Sequence, residues 1–493
     1  MKTINSYRVF EGPALLAALL VMAGCSLAPV YHQPSDPLPA TYKEAAAEPA
    51  NVLQRHESGV WKDAQPSEGV ARGAWWTVYE DEILNQLEQQ ALQENQDLKA
   101  ATARLKEARA LNQAARSALF PTVDAGLGAT RQKASAASQG PPQGMQLQPR
   151  TLYRAQVGIS YEVDLFGRVA STVDASRADT ERGEALFRSV QLALQADVAQ
   201  NYFALRELDA EAEIFDQTVD LREQALALVR RRYQEGAIGE LDLARAESEL
   251  ESARSEAMTV QRLRAASEHS LAVLLGKAPS GFVMPRHPLQ PVALRIPAGM
   301  PSSLLERRPD IAAAERAMAA ANARVGMAKS AFFPSLTLTG AGGVEAGSFG
   351  DLFKWSNRTF LLGPLAGTAL SLPIFDGGRR KGEMAQARAV YEGEVAHYRQ
   401  QVLLAFREVE DSLSEMRILE GQTATQARAG RASGRAAELA RIQYAEGAVN
   451  YLEVIDAERT ALQTRRAAVQ LEGSQAAASV NLIRALGGGW GQP

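Results

Sequence analysis

Residues 153–168 read YRAQVGISYEVDLFGR. Tyr153, Ala155, Val157, Ile159, Tyr161, Val163 and Leu165 take the odd places; Arg154, Gln156, Gly158, Ser160, Glu162 and Asp164 take the even ones. Successive side chains of a β-strand point to opposite faces, so this segment, as a strand, is apolar on one side and polar or charged on the other. A helix would spread both sets around its circumference. The period of two predicts a strand of about thirteen residues that divides an apolar medium from a polar one.

The chain holds 493 residues, enough for two or more structural parts. Lys plus Arg number 53 and Asp plus Glu 57, and this near balance gives no electrostatic reason to expect a nucleic-acid partner. Aromatic residues make up 6 % while Ala is plentiful, a composition suited to long, closely packed helices. The one cysteine, Cys25, has a telling setting. Lys2 and Arg8 precede the apolar run PALLAALLVMAG (13–24), too short for an ordinary membrane span, and Ala23 and Gly24 lead directly into Cys25. This resembles a bacterial lipobox, with Met22 where Leu is usual; the alternative is a plain secretory signal that leaves a free thiol. The lipobox reading makes 1–24 a signal peptide and 25–70 an extended segment anchored by N-acyl and S-diacylglycerol chains on Cys25. Ser26 lacks the Asp that retains lipoproteins at the inner membrane. No later run of eighteen apolar residues exists, which excludes helical membrane spans.

The sequence is written twice. RRYQEGAIGELDLARAE (231–247) returns as IQYAEGAVNYLEVIDAE (442–458), pairing Tyr233 with Tyr444, Gly236 with Gly447 and Leu241 with Leu452 at a spacing of 211. ARSALFPTVDAGLGA (115–129) is echoed by AKSAFFPSLTLTGAG (328–342). Repeat one is assigned to 71–285, with a strand pair near 121–134 and 151–166 and a helical hairpin whose tip lies near 236. Repeat two is assigned to 286–487, with a strand pair near 334–344 and 362–375 and a tip near 447; 488–493 form a tail. From Val169 to about Tyr233 no proline intervenes, so a helix of about 100 Å is expected. After each tip, apolar residues recur at alternating steps of three and four, from Leu243 to Leu274 and from Val454 to Ala485. Many are Ala, which suits a wall of side-by-side helices.

Four amphipathic strands leave two edges unpaired if they form an open sheet. In a bilayer strands survive only as a closed barrel, and four are too few to close one, so several chains must pool their strands. Here the residues carry a family resemblance. CSLAPVYHQP (25–34), RGAWWTVYEDEIL (72–84), NQDLKAATARLKEARA (95–110), the long block SSLLERRPDIAAAERAMAAANARVGMAKSAFFPSLTLTG (302–340), YAEGAVNYLEVIDAER (444–459) and ALGGGW (485–490) are similar to the outer membrane factors. These are the TolC-like exit ducts of tripartite efflux systems; the likeness is strongest to their acylated OprM/NodT branch. The resemblance implies a mainly α chain with β structure. It implies a homotrimer with a twelve-stranded transmembrane β-barrel, four strands per chain, continued by a long periplasmic α-helical barrel. It implies a gated, passive exit from a periplasmic adaptor and an inner-membrane pump of the resistance-nodulation-division type, across Gram-negative outer-membrane lipid.

It also suggests roles. The tips at Gly236, Ala237, Gly447 and Ala448 meet the adaptor, or the glycines simply permit a reversal. Leu452 and Asp456, four residues apart and so on one helical face, match the family's narrow entrance, an apolar ring followed by an acidic one. Leu241 and Arg245 stand at the equivalent places of repeat one, and Arg245 is expected to pair with an acid on a neighbouring hairpin and latch the entrance. Trp75 and Trp76 are read as packing or as an interfacial pair. Glu162 and Asp164 are read as facing the lumen or marking the membrane boundary. No catalytic or metal site is assigned, because the five histidines are scattered and Gly126–Leu127–Gly128 lacks the third glycine of a dinucleotide loop. The competing reading is a lipid-anchored periplasmic coiled coil without a pore.

Overall fold

The computed structural model describes residues 29–32, 42–44, 74–133, 148–289, 307–362 and 370–488. Seven helices lie among them: α1 (Glu82–Glu94), α2 (Gln96–Ser117), α3 (Arg168–Gln234), α4 (Glu240–Leu274), α5 (Pro309–Ser330), α6 (Arg379–Ala445) and α7 (Tyr451–Ala485). The repeat is visible in these bounds. Helices α3 and α6 each have 67 residues, about 100 Å of helix, and α4 and α7 each have 35. Among the described residues no helix is long and apolar enough to cross a membrane.

Five strand segments make one sheet: β1 (Thr122–Gln132), β2 (Arg150–Val163), β3 (Ser335–Ala346), β4 (Arg358–Leu362) and β5 (Leu370–Ser371). The order is β1-β2-β3-β4, all neighbours antiparallel, with β5 also on β3. Direct cross-strand partners share a face, so the register tests the alternation of the opening stretch. Val123 faces Ile159, Ala125 faces Val157 and Leu127 faces Ala155. On the other side Val157 faces Gly342, Tyr161 faces Leu338 and Val163 faces Leu336. One face of the sheet is thus apolar over most of its length, and Val123, Leu127, Val157, Ile159 and Phe360 on it are exposed in the single chain. The opposite face carries Asp124, Gln156, Ser160, Glu162, Thr337 and Thr339, with an ion pair between Arg154 and Glu345 at 2.6 Å.

Two bounds differ from expectation. Strand β2 stops at Val163, because Asp164 bends away to accept a hydrogen bond from the Ala170 amide (2.7 Å) at the start of α3. Glu162 is bound to Arg168 at 2.5 Å, so both carboxylates fasten the strand–helix junction. The segment expected as one strand near 362–375 begins earlier, at Arg358. Its described parts, β4 and β5, lie along one edge of β3, and β5 ends before Pro373, which has no amide to donate.

The chain divides into two compact units. One comprises Met1–Pro34, Leu105–Gly183 and Ala314–Tyr398 and holds the sheet; the other comprises Ser35–Arg104, Glu184–Ala313 and Arg399–Pro493. In the second, Trp75 and Trp76 are buried against Leu84, Phe203, Leu271 and Ile483, and the Trp75 indole donates to Gln195 at 3.1 Å. The tryptophan pair is packing.

Candidate functional site

Each hairpin reverses on a glycine. Gly236 has φ 72° and Gly447 φ 77°, a region that costs a side-chain-bearing residue roughly 1–2 kcal/mol. The reversal closes with the same two hydrogen bonds in both hairpins. The Gly236 amide donates to Tyr233 O (2.9 Å) and the Ala237 amide to Arg232 O (2.9 Å). The Gly447 amide donates to Tyr444 O (3.0 Å) and the Ala448 amide to Gln443 O (2.8 Å). These are Schellman ends, which satisfy carbonyls that the helix cannot. All four tip residues are exposed.

Behind the tips the two hairpins of the chain share a small core. Val229 and Ala246 of hairpin one pack with Tyr444, Tyr451, Val454 and Ile455 of hairpin two. The Tyr444 and Tyr451 rings lie 5.3 Å apart. Arg232 clasps the pair: its guanidinium sits 4.7 Å above the Tyr444 ring and donates to Tyr444 O (3.1 Å) and Ala445 O (2.9 Å). Those carbonyls end α6, where the helix dipole favours a cation. Further along, Glu249 is buried and takes Arg222 at 3.0 Å and Arg459 as well, so a charge from each hairpin meets one carboxylate. Burial pushes the neighbouring Glu458 carboxyl above its usual range, against the pull of Arg441 and Arg222.

Val454 and Ile455 are buried in that core, while Leu452 (41 % exposed) and Asp456 point away from it together. Leu241 is 63 % exposed, and Arg245 is half-buried. Within the chain Arg245 pairs with Asp242, one turn back on its own helix at 3.4 Å, and not with an acid on the second hairpin. Cys25 lies outside the described residues.

The chemistry-bearing residues that the sequence did not disclose are the clasps. Arg232 has Gln443 at its equivalent place, a difference visible in the repeat but silent about direction. Arg308 of the RRPDI motif binds Asp310 at 2.6 Å, Glu408 at 2.7 Å and the terminal carbonyl of Ala485 at 3.0 Å. Asn95 performs the same service in repeat one, donating to Leu274 O at 2.9 Å.

The family described as outer membrane efflux protein matches the chain twice, over residues 87–277 and 300–488. A probable efflux pump outer membrane protein of Pseudomonas putida, TtgC, is 33 % identical over 97 % of this chain and 95 % of its own. The cation efflux system protein CusC of Escherichia coli O157:H7 is 31 % identical over 96 % and 97 %. The crystal structure of the Campylobacter jejuni CmeC outer membrane channel superposes with a TM-score of 0.84 at 25 % identity, covering 94 % of this chain and 95 % of that one. A duplicated match over nearly the whole chain, on a fold shared with outer-membrane channels, leaves one conclusion: this chain belongs to the outer membrane efflux protein family and is an outer-membrane efflux duct.

Proposed function

We propose that three copies close into one channel, anchored through acylated Cys25, whose hairpin tips receive a periplasmic adaptor and through it an inner-membrane pump of the resistance-nodulation-division type. The sheet carries this reading. Its strands alternate in direction, so the free edge of β4 in one copy runs antiparallel to the free edge of β1 in the next. Three copies of a four-stranded wall give twelve strands, within the range of outer-membrane barrels. The apolar face then meets lipid and the face with Asp124, Gln156 and Glu162 lines the lumen.

The acyl anchor fits the same geometry. Asn322 of α5 holds the Pro29 carbonyl at 2.9 Å, and α5 ends at Ser330, about 12 Å further along the helix. The chain from Pro29 back to Cys25 spans at most about 14 Å, so lipid on Cys25 can reach the level where the strands begin.

Near the hairpin tips Leu452 and Asp456, with Leu241 and Arg245 at the equivalent places of repeat one, form the narrow entrance. Three Asp456 carboxylates around an axis attract cations and repel anions. Leu452 lies one turn before Asp456 and sets the apolar constriction.

Planar-bilayer recordings test the whole reading. The expected result is a stepwise conductance that favours cations, with that preference lost in Asp456→Asn and the particle running at three chain masses in mild detergent. A protein that is monomeric and soluble without detergent, and that never conducts, ends it.

A further inference from the structure

Four of the five strand segments are joined to a helix, all at the same end of the sheet: β1 follows α2, β2 leads into α3, β3 follows α5 and β5 leads into α6. The distal end therefore comprises the close of β1, the start of β2, the close of β3 and the start of β4. Its charges are lopsided. Among the described residues it carries Arg131, Lys133, Arg150, Arg154, Lys354 and Arg358, against Glu345 and Asp351. Both acids are already taken, Glu345 by Arg154 at 2.6 Å and Asp351 by Lys354 at 2.5 Å. Arg131, Lys133, Arg150 and Arg358 are exposed and have no acidic partner among the described residues.

Two of them stand where a charge is least expected. Arg131 is opposite Thr151 and Arg358 opposite Val344, which places both on the apolar face. Among the described strand residues they are the charges on that face, both are arginines, and both lie toward its distal end. Beside Arg358 the β3–β4 connection exposes Phe353 (75 %) and Trp355 (83 %), and the Arg358 guanidinium lies over the Trp355 ring. Apolar surface, then aromatic rings, then unpaired guanidinium groups is the order of chemistry met on leaving a bilayer through a phosphorylated headgroup layer. Guanidinium groups hold phosphate by paired hydrogen bonds that a point charge does not reproduce.

We infer that this distal collar binds the phosphorylated glycolipid of the outer leaflet, lipopolysaccharide, with Arg131, Lys133, Arg150 and Arg358 on its phosphates and the apolar face of the sheet along its acyl chains. The inference rests on the barrel reading above, which sets the distal end outermost. It assigns the collar a partner of its own, separate from the adaptor that the tips receive.

The test uses the full-length protein in detergent and fluorescently labelled lipopolysaccharide, phosphorylated or enzymatically dephosphorylated, with phosphatidylglycerol micelles at matched phosphate as competitor. Phosphorylated lipopolysaccharide is expected to bind at least tenfold more tightly than the dephosphorylated form, and phosphatidylglycerol to compete weakly. A variant carrying Arg131→Gln, Lys133→Gln, Arg150→Gln and Arg358→Gln is expected to lose that tenfold. Arg379→Gln with Lys381→Gln, two charges removed at the helix-bearing end, is expected to lose none. Equal binding of both forms to the unaltered protein overturns the inference, whatever the variant does. So does equal competition by phosphatidylglycerol. Conductance recorded on the same preparation separates the two levels: a conducting channel without phosphate preference removes the collar and leaves the duct standing.

Discussion

Tyr233 and Tyr444 stand at the same place in two helices of equal length, yet the first is 39 % exposed and the second 7 %. The difference repeats around them. Arg232 reaches across to the end of α6, while its counterpart Gln443 has no such helix-end contact among the described residues. Tyr451 is buried under hairpin one, while its counterpart Glu240 is exposed. Each hairpin is thus built to have a neighbour on both flanks, and a single chain supplies one. Hairpin two is covered by hairpin one; in the channel proposed above, the matching flank of hairpin one takes hairpin two of another copy. The asymmetry is the signature of a ring of alternating repeats cut open at one joint.

The largest expected effect concerns the paired helix ends. Arg308 and Asn95 hold equivalent carbonyls, Ala485 O and Leu274 O, but Arg308 does so as a buried charge with two acids around it. Asp310 is held below the usual carboxylate range by the Arg308 guanidinium and the Gln401 amide, although its burial works the other way. Arg308→Ala leaves Asp310 and the more exposed Glu408 without their cation and Ala485 O without its donor, which costs about 3 kcal/mol, the low end for a broken buried pair. Asn95→Ala is expected to cost about 1–2 kcal/mol, the scale of a lost cap. Urea unfolding of both variants in detergent decides the matter; equal losses would mean the two ends are energetically the same device.

Next comes the clasp at the tips. Arg232→Gln gives hairpin one the residue that hairpin two carries, and removes two hydrogen bonds and a ring contact worth about 1–2 kcal/mol together. The measurable consequences are a lower melting temperature and, in bilayers, longer open times. The reverse change, Gln443→Arg, has no ring to reach inside one chain but meets Tyr233 of the next copy in a closed ring. It is expected to stabilise the assembled protein and shorten openings. No change in the assembled form would break the comparison.

A third contrast is Glu207, whose counterpart Ile418 is exposed. The Glu207 carboxyl rests on Gly473 of α7, where any added β-carbon collides with it. Burial, with repulsion from Glu211, pushes it up to about 7 from 4.5. Between those values the folded protein keeps a proton that the unfolded chain releases, so this group lowers stability as pH rises from 4.5 to 7. Discounted for its partial exposure, the effect is about 1 kcal/mol. Glu207→Gln should flatten that part of the pH profile of the melting temperature, and an unchanged slope would assign it elsewhere.

These contrasts mark how far the sequence could be read. Alternation in Tyr153–Val163 and the period of 211 are properties of the chain itself, so the strands, the long helices and the glycine turns were legible. Which flank of a helix is covered depends on a neighbour, and one-dimensional spacing does not say whether Arg232 turns inward or outward. Spacing is equally silent about Arg245, since Asp242 at i−3, which it meets within the chain, and an acid across the entrance satisfy the same need. The early start of β4 was hidden because RTFLL is short and follows a Trp-Ser-Asn turn, whereas Leu370, Leu372 and Ile374 alternate convincingly beyond the described strand.

The smallest effect isolates the tips from everything behind them. Helix α7 starts on Asn450, whose side chain accepts from the Glu453 amide at 3.1 Å; α4 starts on Gly239, with no side-chain cap. Asn450→Gly should therefore cost only a few tenths of a kcal/mol, since glycine is itself a tolerated cap. Gly239→Asn should return a similar amount, because the backbone there is already extended at φ −84° and ψ 163° and matches that of Asn450. Both tip loops otherwise close with the same Schellman bonds, so the pair of substitutions exchanges the caps and nothing else. If the tips are contact surfaces for a partner, the exchange moves adaptor affinity more than it moves stability, because the residue at each cap is exposed. Adaptor binding measured on the two variants and on their combination reads this directly; affinity that tracks the melting temperature would make the caps purely a matter of folding.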